Sequence, residues 1–234
     1  MPSDETADSG AGLGPDTTSA AAAGHGYFDT RFAPHAQRST VWKHICRYLE
    51  RWISAEDRVL DLGAGRCDFA NAVTASTVTA MDVDEVVIEA AGPGVTALVG
   101  DSTDLSRFDR DSFDCIVASN LLEHLGRPDA ERLLSEARRV LSPHGRLVLI
   151  QPNFRLNPAE YFDDYTHVTV YSDRSLSDLL VASGWRIEHR AARFLPLSMK
   201  SRGSRLTFLV PWYLRSPIKP FAGQMLLVAT PDAG

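Results

Sequence analysis

The chain has 234 residues, 44% of them hydrophobic and 23% charged, which is the balance of a globular protein with room for one α/β domain and a sizeable core. Its net charge of -6 gives no electrostatic footprint for nucleic acid, so none is expected as a partner. No apolar run is long enough to span a bilayer, and the first residues are acidic and small rather than basic and then apolar, so the expected location is cytoplasmic.

Cys46, Cys67 and Cys115 are far apart and odd in number, which predicts small buried thiols rather than a disulfide framework or a zinc site. Residues 1–24 are Ser, Thr, Ala, Gly, Asp and Pro with almost nothing to bury, and read as a disordered tail. Residues 25–234 read as a single domain with an inserted segment around 194–222.

Val41, Ile45, Tyr48, Leu49 and Trp52 recur at helical spacing, so a helix is predicted over about 36–53. From Arg58 a strand, turn and helix pattern repeats. Val59–Leu62 is a short buried strand ending in Gly63-Ala64-Gly65, with a helix expected through Phe69 and Val73. Val78–Met81 is a second strand stopping at Asp82, followed by a helix over Val86–Ala91 and a third strand over Val95–Val99 that stops at Gly100-Asp101. Phe113–Ala118 is the fourth strand and runs into Asn120-Leu121-Leu122-Glu123-His124-Leu125. Ala130–Leu141 is amphipathic, Ser142–Gly145 a turn, and Arg146–Gln151 a nearly continuous apolar strand. A helix over Ser175–Ser183 ends at Gly184, and Trp185–Arg190 and Gln224–Ala229 read as two late strands.

Alternating strands and helices of this length imply an α/β, doubly wound, mostly parallel sheet. Ligands of such sheets bind beyond the carboxyl ends of the strands. Asp61, Asp82, Asp101, Asn120, Glu123 and His124 all fall at or just after those ends. The glycine turn at 63–65 lets a ligand approach the backbone, and Asp82 can accept hydrogen bonds from both hydroxyls of a ribose. A dinucleotide fingerprint would place a third small residue where this chain has Asp68, which argues against NAD.

DLGAG, Asp82, Gly100-Asp101, the Phe113-Asp114 strand ending in NLLEHL, and HGRLVLIQP together resemble the ordered motifs of class I S-adenosylmethionine (SAM)-dependent methyltransferases over about 40–190. The resemblance implies a Rossmann-like, seven-stranded sheet with an antiparallel last strand. It implies SAM as cofactor, with S-adenosylhomocysteine as product. It assigns the methionine part of SAM to Gly63, Ala64 and Gly65, its ammonium to Asp61, the ribose to Asp82 with Val83 alongside, and the adenine to Asp101 and Ser102. Asn120 and Leu121 would form the wall near the sulfonium, and Cys67 stands where many members carry a third glycine. The stretches DLGAGRCDF, SNLLEHL, QPNFR, Tyr161–His167 and RFLPLSMKSR resemble a bacterial subgroup accompanying sugar, cell-surface glycan or natural-product pathways.

A hydroxyl acceptor needs its proton removed, and His124, after the fourth strand, is the first candidate base. His167 is the second. Glu123, Asp164, Tyr165 and Arg193 are candidate contacts for a small-molecule acceptor, with a surface salt bridge as the alternative for Glu123. Glu123, His124, Asp163 and Asp164 could gather around magnesium, but nothing in their spacing requires an ion and no metal is expected. Arg193–Lys219 is basic, with interleaved aromatics. It could bind a phosphorylated or nucleotide-linked acceptor, rest on an anionic membrane to reach a lipid-linked glycan, or cap the last strands with its aromatics inward. A SAM-binding protein catalysing a non-methylating step, or serving as a partner in natural-product biosynthesis, is the alternative on the same fold.

Overall fold

The computed structural model describes residues 35–196 and 208–232. The predicted N-terminal tail and part of the inserted segment lie outside them. Helix α1 (His35–Leu49) buries Trp42, Ile45, Cys46 and Leu49, one stripe at helical spacing. Then come β1 (Arg58–Leu62), β2 (Thr77–Asp82), α2 (Val86–Ala90), β3 (Val95–Val99) and β4 (Phe113–Ser119). A 3-10 turn over Leu122–His124 leads to α3 (Arg127–Val140), and β5 (Leu141–Pro152) follows. A second 3-10 turn at Tyr161–Asp163 precedes α4 (Asp173–Ala182), β6 (Trp185–Ala191), α5 (Val210–Arg215) and β7 (Gln224–Pro231).

The seven strands form one sheet in the order β3-β2-β1-β4-β5-β7-β6. All neighbouring pairs are parallel except those of β7, which runs antiparallel to both β5 and β6. The strand order reverses between β1 and β4, where an open α/β sheet forms its ligand crevice. Alternate residues feed two cores. Leu60, Leu62, Ile116, Ala118, Leu147 and Leu149 pack with α3 and α4, whereas Val59, Cys115, Val117, Val148 and Ile150 pack with α1, Phe194 and Leu214.

Local signals explain the element ends. Helix α3 starts after Gly126 with Pro128 and Asp129 in its first turn, and buries Ala130, Leu133, Leu134, Ala137 and Val140. Ser172 and Ser175 form a reciprocal cap at the start of α4, and Gly184, at φ +78°, ends it. The predicted turn at 142–145 lies within β5 as an irregularity: Phe113 pairs with Leu141, but Cys115 already pairs with Arg146.

The helix expected after Gly65 is not formed. Residues 66–72 are successive turns, closed by bonds such as Cys67 N to Ala64 O (2.8 Å) and Asn71 N to Cys67 O (2.8 Å). The left-handed backbone at Cys67, φ +55°, interrupts the helical run. All three cysteines are buried and unpaired, as their apolar neighbours predicted.

Candidate functional site

Two groups of residues meet beyond the carboxyl ends of β1, β2 and β4. The first is built from backbone. Gly63 and Gly65 both have left-handed φ, +67° and +48°. A Cβ on Gly63 would stand 2.9 Å from Leu121 Cδ1, so this glycine lets the Leu121 side chain lie across the turn. The amides of Gly63 and Ala64 both donate to the Met81 carbonyl, tying the turn to β2.

Asp82 completes that group. Its Oδ2 accepts from Gly65 N at 2.8 Å and its Oδ1 from Asp84 N at 2.9 Å. Both oxygens are held by backbone, and a carboxylate held in this way can still accept from a ribose hydroxyl. Burial raises the Asp82 carboxyl above its usual range, and the backbone amides of Asp84, Gly65 and Val83 oppose that rise. Val83 next to it is an exposed apolar side chain, the kind of surface a base can lie on. Asp101 turns its carboxylate onto Thr103 N (2.8 Å), with Ser102 buried between them. Asp82, Val83 and Asp101 thus offer the acceptors and the apolar surface that suit a nucleoside.

Asp61 sits deeper than its resemblance-based role suggests. It shares the parity of Val59, is almost fully buried, and lies beneath the glycine turn. Burial holds its carboxyl well above the usual carboxylate range, and the charges of Asp82 and Asp68 push the same way, against a hydrogen bond from the Ala70 backbone. Asp68, whose charge argued against NAD, pairs with Arg38 of α1.

The second group is built from side chains. Asn120 has φ +52°, and its Oδ1 accepts from Gln224 Nε2 at 2.7 Å. Buried Gln151 accepts from Leu121 N (3.3 Å) and donates to the Ala118 carbonyl (3.2 Å). Together they fix the exit of β4. Sequence reasoning missed both glutamines. The only signal was a polar residue inside an apolar strand at 151 and at the start of one at 224.

Glu123 is not a surface residue. Its side chain is 1% exposed, which overturns the salt-bridge reading, and neither carboxylate oxygen has a hydrogen-bond partner among the described residues. Burial pushes its carboxyl up to about 8, and the charge of Asp164 adds to the rise. The loop after β5 is stitched onto this turn: Val168 N and Thr169 N donate to the Glu123 carbonyl at 2.9 and 3.1 Å, and Thr169 Oγ1 donates to the Leu125 carbonyl at 2.6 Å. Tyr161 Oη donates to the Thr169 carbonyl at 2.7 Å from the other side. This stitching brings His167 against His124, with ring centroids 5.0 Å apart. Burial, then His167, lowers the His124 pKa and favours its neutral form.

Asp164 accepts from Thr166 N (3.1 Å) and Thr166 Oγ1 (2.6 Å), which shapes the loop, while Tyr165 stands exposed. Arg193 is exposed, and its charge works against the burial that raises the Tyr213 hydroxyl. Phe194 and Leu214 are buried and partly meet the expectation of an inward-packed cap, but Trp212 and Phe221 are 77% and 90% exposed. Among the described residues, no helix is long and apolar enough to cross a membrane.

The class defined by this fold is an open seven-stranded α/β sheet with polar residues gathered at its switch point. Residues 60–149 match the family described as "Methyltransferase domain". The solved structures similar to the chain include a SAM-dependent methyltransferase from Archaeoglobus fulgidus, 18% identical over 82% of this chain and 94% of that one, TM-score 0.61. A chain of the structure described as "Complex between the Haloferax volcanii Trm112 methyltransferase activator and the putative methyltransferase" is 18% identical over 84% and 92%, TM-score 0.63. The [4+2]-cyclase SpnF is 18% identical over 82% and 81%, TM-score 0.60. A protein of transposon TN4556 from Streptomyces fradiae, described as an uncharacterized 37.1 kDa protein, is 32% identical over 139 residues, 55% of this chain. The aligned stretch spans 39% of that relative's length. Residues 60–149 thus match a methyltransferase domain, and the chain shares the fold of a SAM-dependent methyltransferase.

Proposed function

We propose that this protein transfers the methyl group of SAM to an oxygen, or a nitrogen, of a small sugar-containing or nucleotide-linked metabolite. The observation that carries the proposal is the polar cluster of Glu123, His124 and His167 two residues past Leu121, the side chain that lies across Gly63. When bound, SAM supplies an activated methyl group open to in-line displacement. The residues' task is to align the acceptor, exclude water and receive its proton.

Asp82 would hold the ribose, Val83, Asp101 and Ser102 the adenine end, and Gly63, Ala64 and Gly65 the methionine backbone. Asp61, beneath the turn, would meet the ammonium through water. Leu121 and Asn120 would wall the reacting methyl. The Nδ1 of His124 faces the Thr166 carbonyl at 3.2 Å, which leaves the Nε2 lone pair for a proton. In the metal-free chain His124 is the base, with Glu123 and His167 beside it. Exposed Phe162 and Tyr165 on the same loop suit the apolar face of a sugar, and Asp164 its hydroxyls.

Calorimetry with SAM, S-adenosylhomocysteine and NAD tests the cofactor half. Micromolar binding of the first two and none of NAD is expected, followed by methylation in a screen of nucleotide sugars and glycosides. A second reading, a non-methylating SAM-dependent step or a partner role, is favoured by the occurrence of this fold in a cyclase. It takes precedence if SAM binds and no acceptor is methylated. The exposed Trp212, Ile218 and Phe221 favour a third, a membrane-surface enzyme on a lipid-linked glycan, which liposome co-sedimentation with and without residues 194–222 would test.

A further inference from the structure

Glu123 Oε1 lies 4.0 Å from Nε2 of His124 and 4.0 Å from Nε2 of His167. One ligand atom from each of the three residues falls within 4.8 Å of the other two. Both carboxyl oxygens are enclosed by protein without a hydrogen-bond partner among the described residues, an arrangement that costs free energy unless a partner joins them.

The backbone orients both imidazole rings. Nδ1 of His124 faces the Thr166 carbonyl at 3.2 Å, and Nδ1 of His167 faces the Tyr161 carbonyl at 2.6 Å. A carbonyl only accepts, so Nδ1 is the donor in each contact and Nε2 is the ring atom turned toward Glu123. Two imidazole nitrogens and one carboxyl oxygen therefore converge. A backbone carbonyl on the far nitrogen is also the usual orienting partner of a metal-bound imidazole. Asp164 adds further negative potential at Glu123 and His124.

We infer that Glu123, His124 and His167 form a binding site for one divalent transition-metal ion of the zinc class. A point equidistant from the three ligand atoms lies about 2.5 Å from each, so closing to the usual ~2.0–2.2 Å needs a shift of only a few tenths of an ångström. Two nitrogens in three ligands favour zinc-like ions over magnesium or calcium, which prefer all-oxygen shells. Three protein ligands leave a further position, on the side of His124, whose ring is 24% exposed while that of His167 is 10%. The ion and the acceptor's proton compete for the same lone pairs. The site lies where the acceptor is proposed to bind, but the inference does not rest on that reading, because an ion can bind whatever the acceptor is.

The experiment is calorimetry of Zn2+ into the chelator-stripped full chain, with Mg2+ in parallel. One Zn2+ per chain at micromolar affinity or tighter is expected, with no heat from Mg2+. His124→Ala and His167→Ala should each weaken Zn2+ binding at least about tenfold, and His144→Ala, at an exposed position, should leave it unchanged. Co2+ gives a second readout that needs no variant: visible absorption bands of a low-coordinate nitrogen-ligated ion, displaced by one equivalent of Zn2+. If the variants fold poorly, the rise in melting temperature of the wild-type chain at one equivalent of Zn2+ takes their place. Absence of one-to-one binding overturns the site, and so does binding that survives both histidine substitutions. Failure of the acceptor reading would look different, as Zn2+ binding at the cluster with no acceptor methylated.

Discussion

The two halves of the crevice are built differently. The half under β1 and β2 is made of backbone: two left-handed glycines, amides tied to Met81, and one carboxylate held by the amides of Gly65 and Asp84. The half beyond β4 is made of buried side chains from three separate segments, with Gln151 and Gln224 fixing the β4 exit and the loop after β5 folded back onto Glu123. A backbone cradle tolerates most substitutions outside its few special positions. A side-chain cluster depends on each member. Mutations should therefore separate binding on one side from turnover on the other.

The largest effect is expected at His124. His124→Ala should lower turnover about 100-fold or more while SAM affinity stays within about twofold. Turnover at the full rate removes it as the base. Loss of SAM affinity as well would mean that the two halves are not separable. Asp82→Ala should do the opposite, weakening SAM by about 1–3 kcal/mol, or about 5- to 150-fold by calorimetry. An unchanged isotherm withdraws the ribose assignment.

The contrast also explains what could be read from the sequence. Strand ends at Leu62, Asp82 and Val99 follow from short apolar runs stopped by Gly or Asp, and the cofactor half sits on those ends, within a few residues of each signal. Turns replace the expected helix at 66–72 because Cys67 takes a backbone conformation that its identity does not announce. On the acceptor side, His124 and His167 were each singled out, but their meeting was not legible. It depends on backbone bonds from Val168 and Thr169 to the Glu123 carbonyl, across more than 40 residues of chain. The surface salt bridge was an open alternative for Glu123 because burying an unpartnered carboxylate is costly, and the sequence carries no sign that His167 comes to it alongside the adjacent His124.

A smaller effect is expected from pH on the cofactor half. The carboxyl of Asp61 is held up by burial and by Asp82 and Asp68, so in the free protein it is protonated at pH values where an ordinary aspartate is charged. A ligand that brings an ammonium and a sulfonium favours the ionised form. Binding then releases a proton, and affinity rises with pH until the pH passes the raised pKa of the free state. SAM should therefore bind several-fold more tightly at about pH 8 than at about pH 5, with a net proton release measurable in buffers of different ionisation enthalpy. Affinity that is flat in this range, with no proton released, would place the ammonium away from Asp61.

The smallest effect is expected at Cys67, where the cradle departs from its all-glycine form. Its φ of +55° is a glycine conformation, and its Sγ lies 3.5 Å from the Val87 carbonyl in a pocket with Ala70, Val78 and Ala80. Cys67→Gly relieves about 1–2 kcal/mol of left-handed strain. It also gives up the buried thiol and adds about 0.5–1 kcal/mol of backbone entropy cost. These terms oppose one another, so stability should change by less than about 1 kcal/mol, and SAM affinity by less than about threefold, because the thiol points into the core and not toward the crevice. A large loss of stability with affinity intact would make Cys67 a packing residue that replaced a glycine. A loss of affinity with stability intact would mean that the third position of the turn shapes the ligand site, and that the cofactor half depends on a side chain after all.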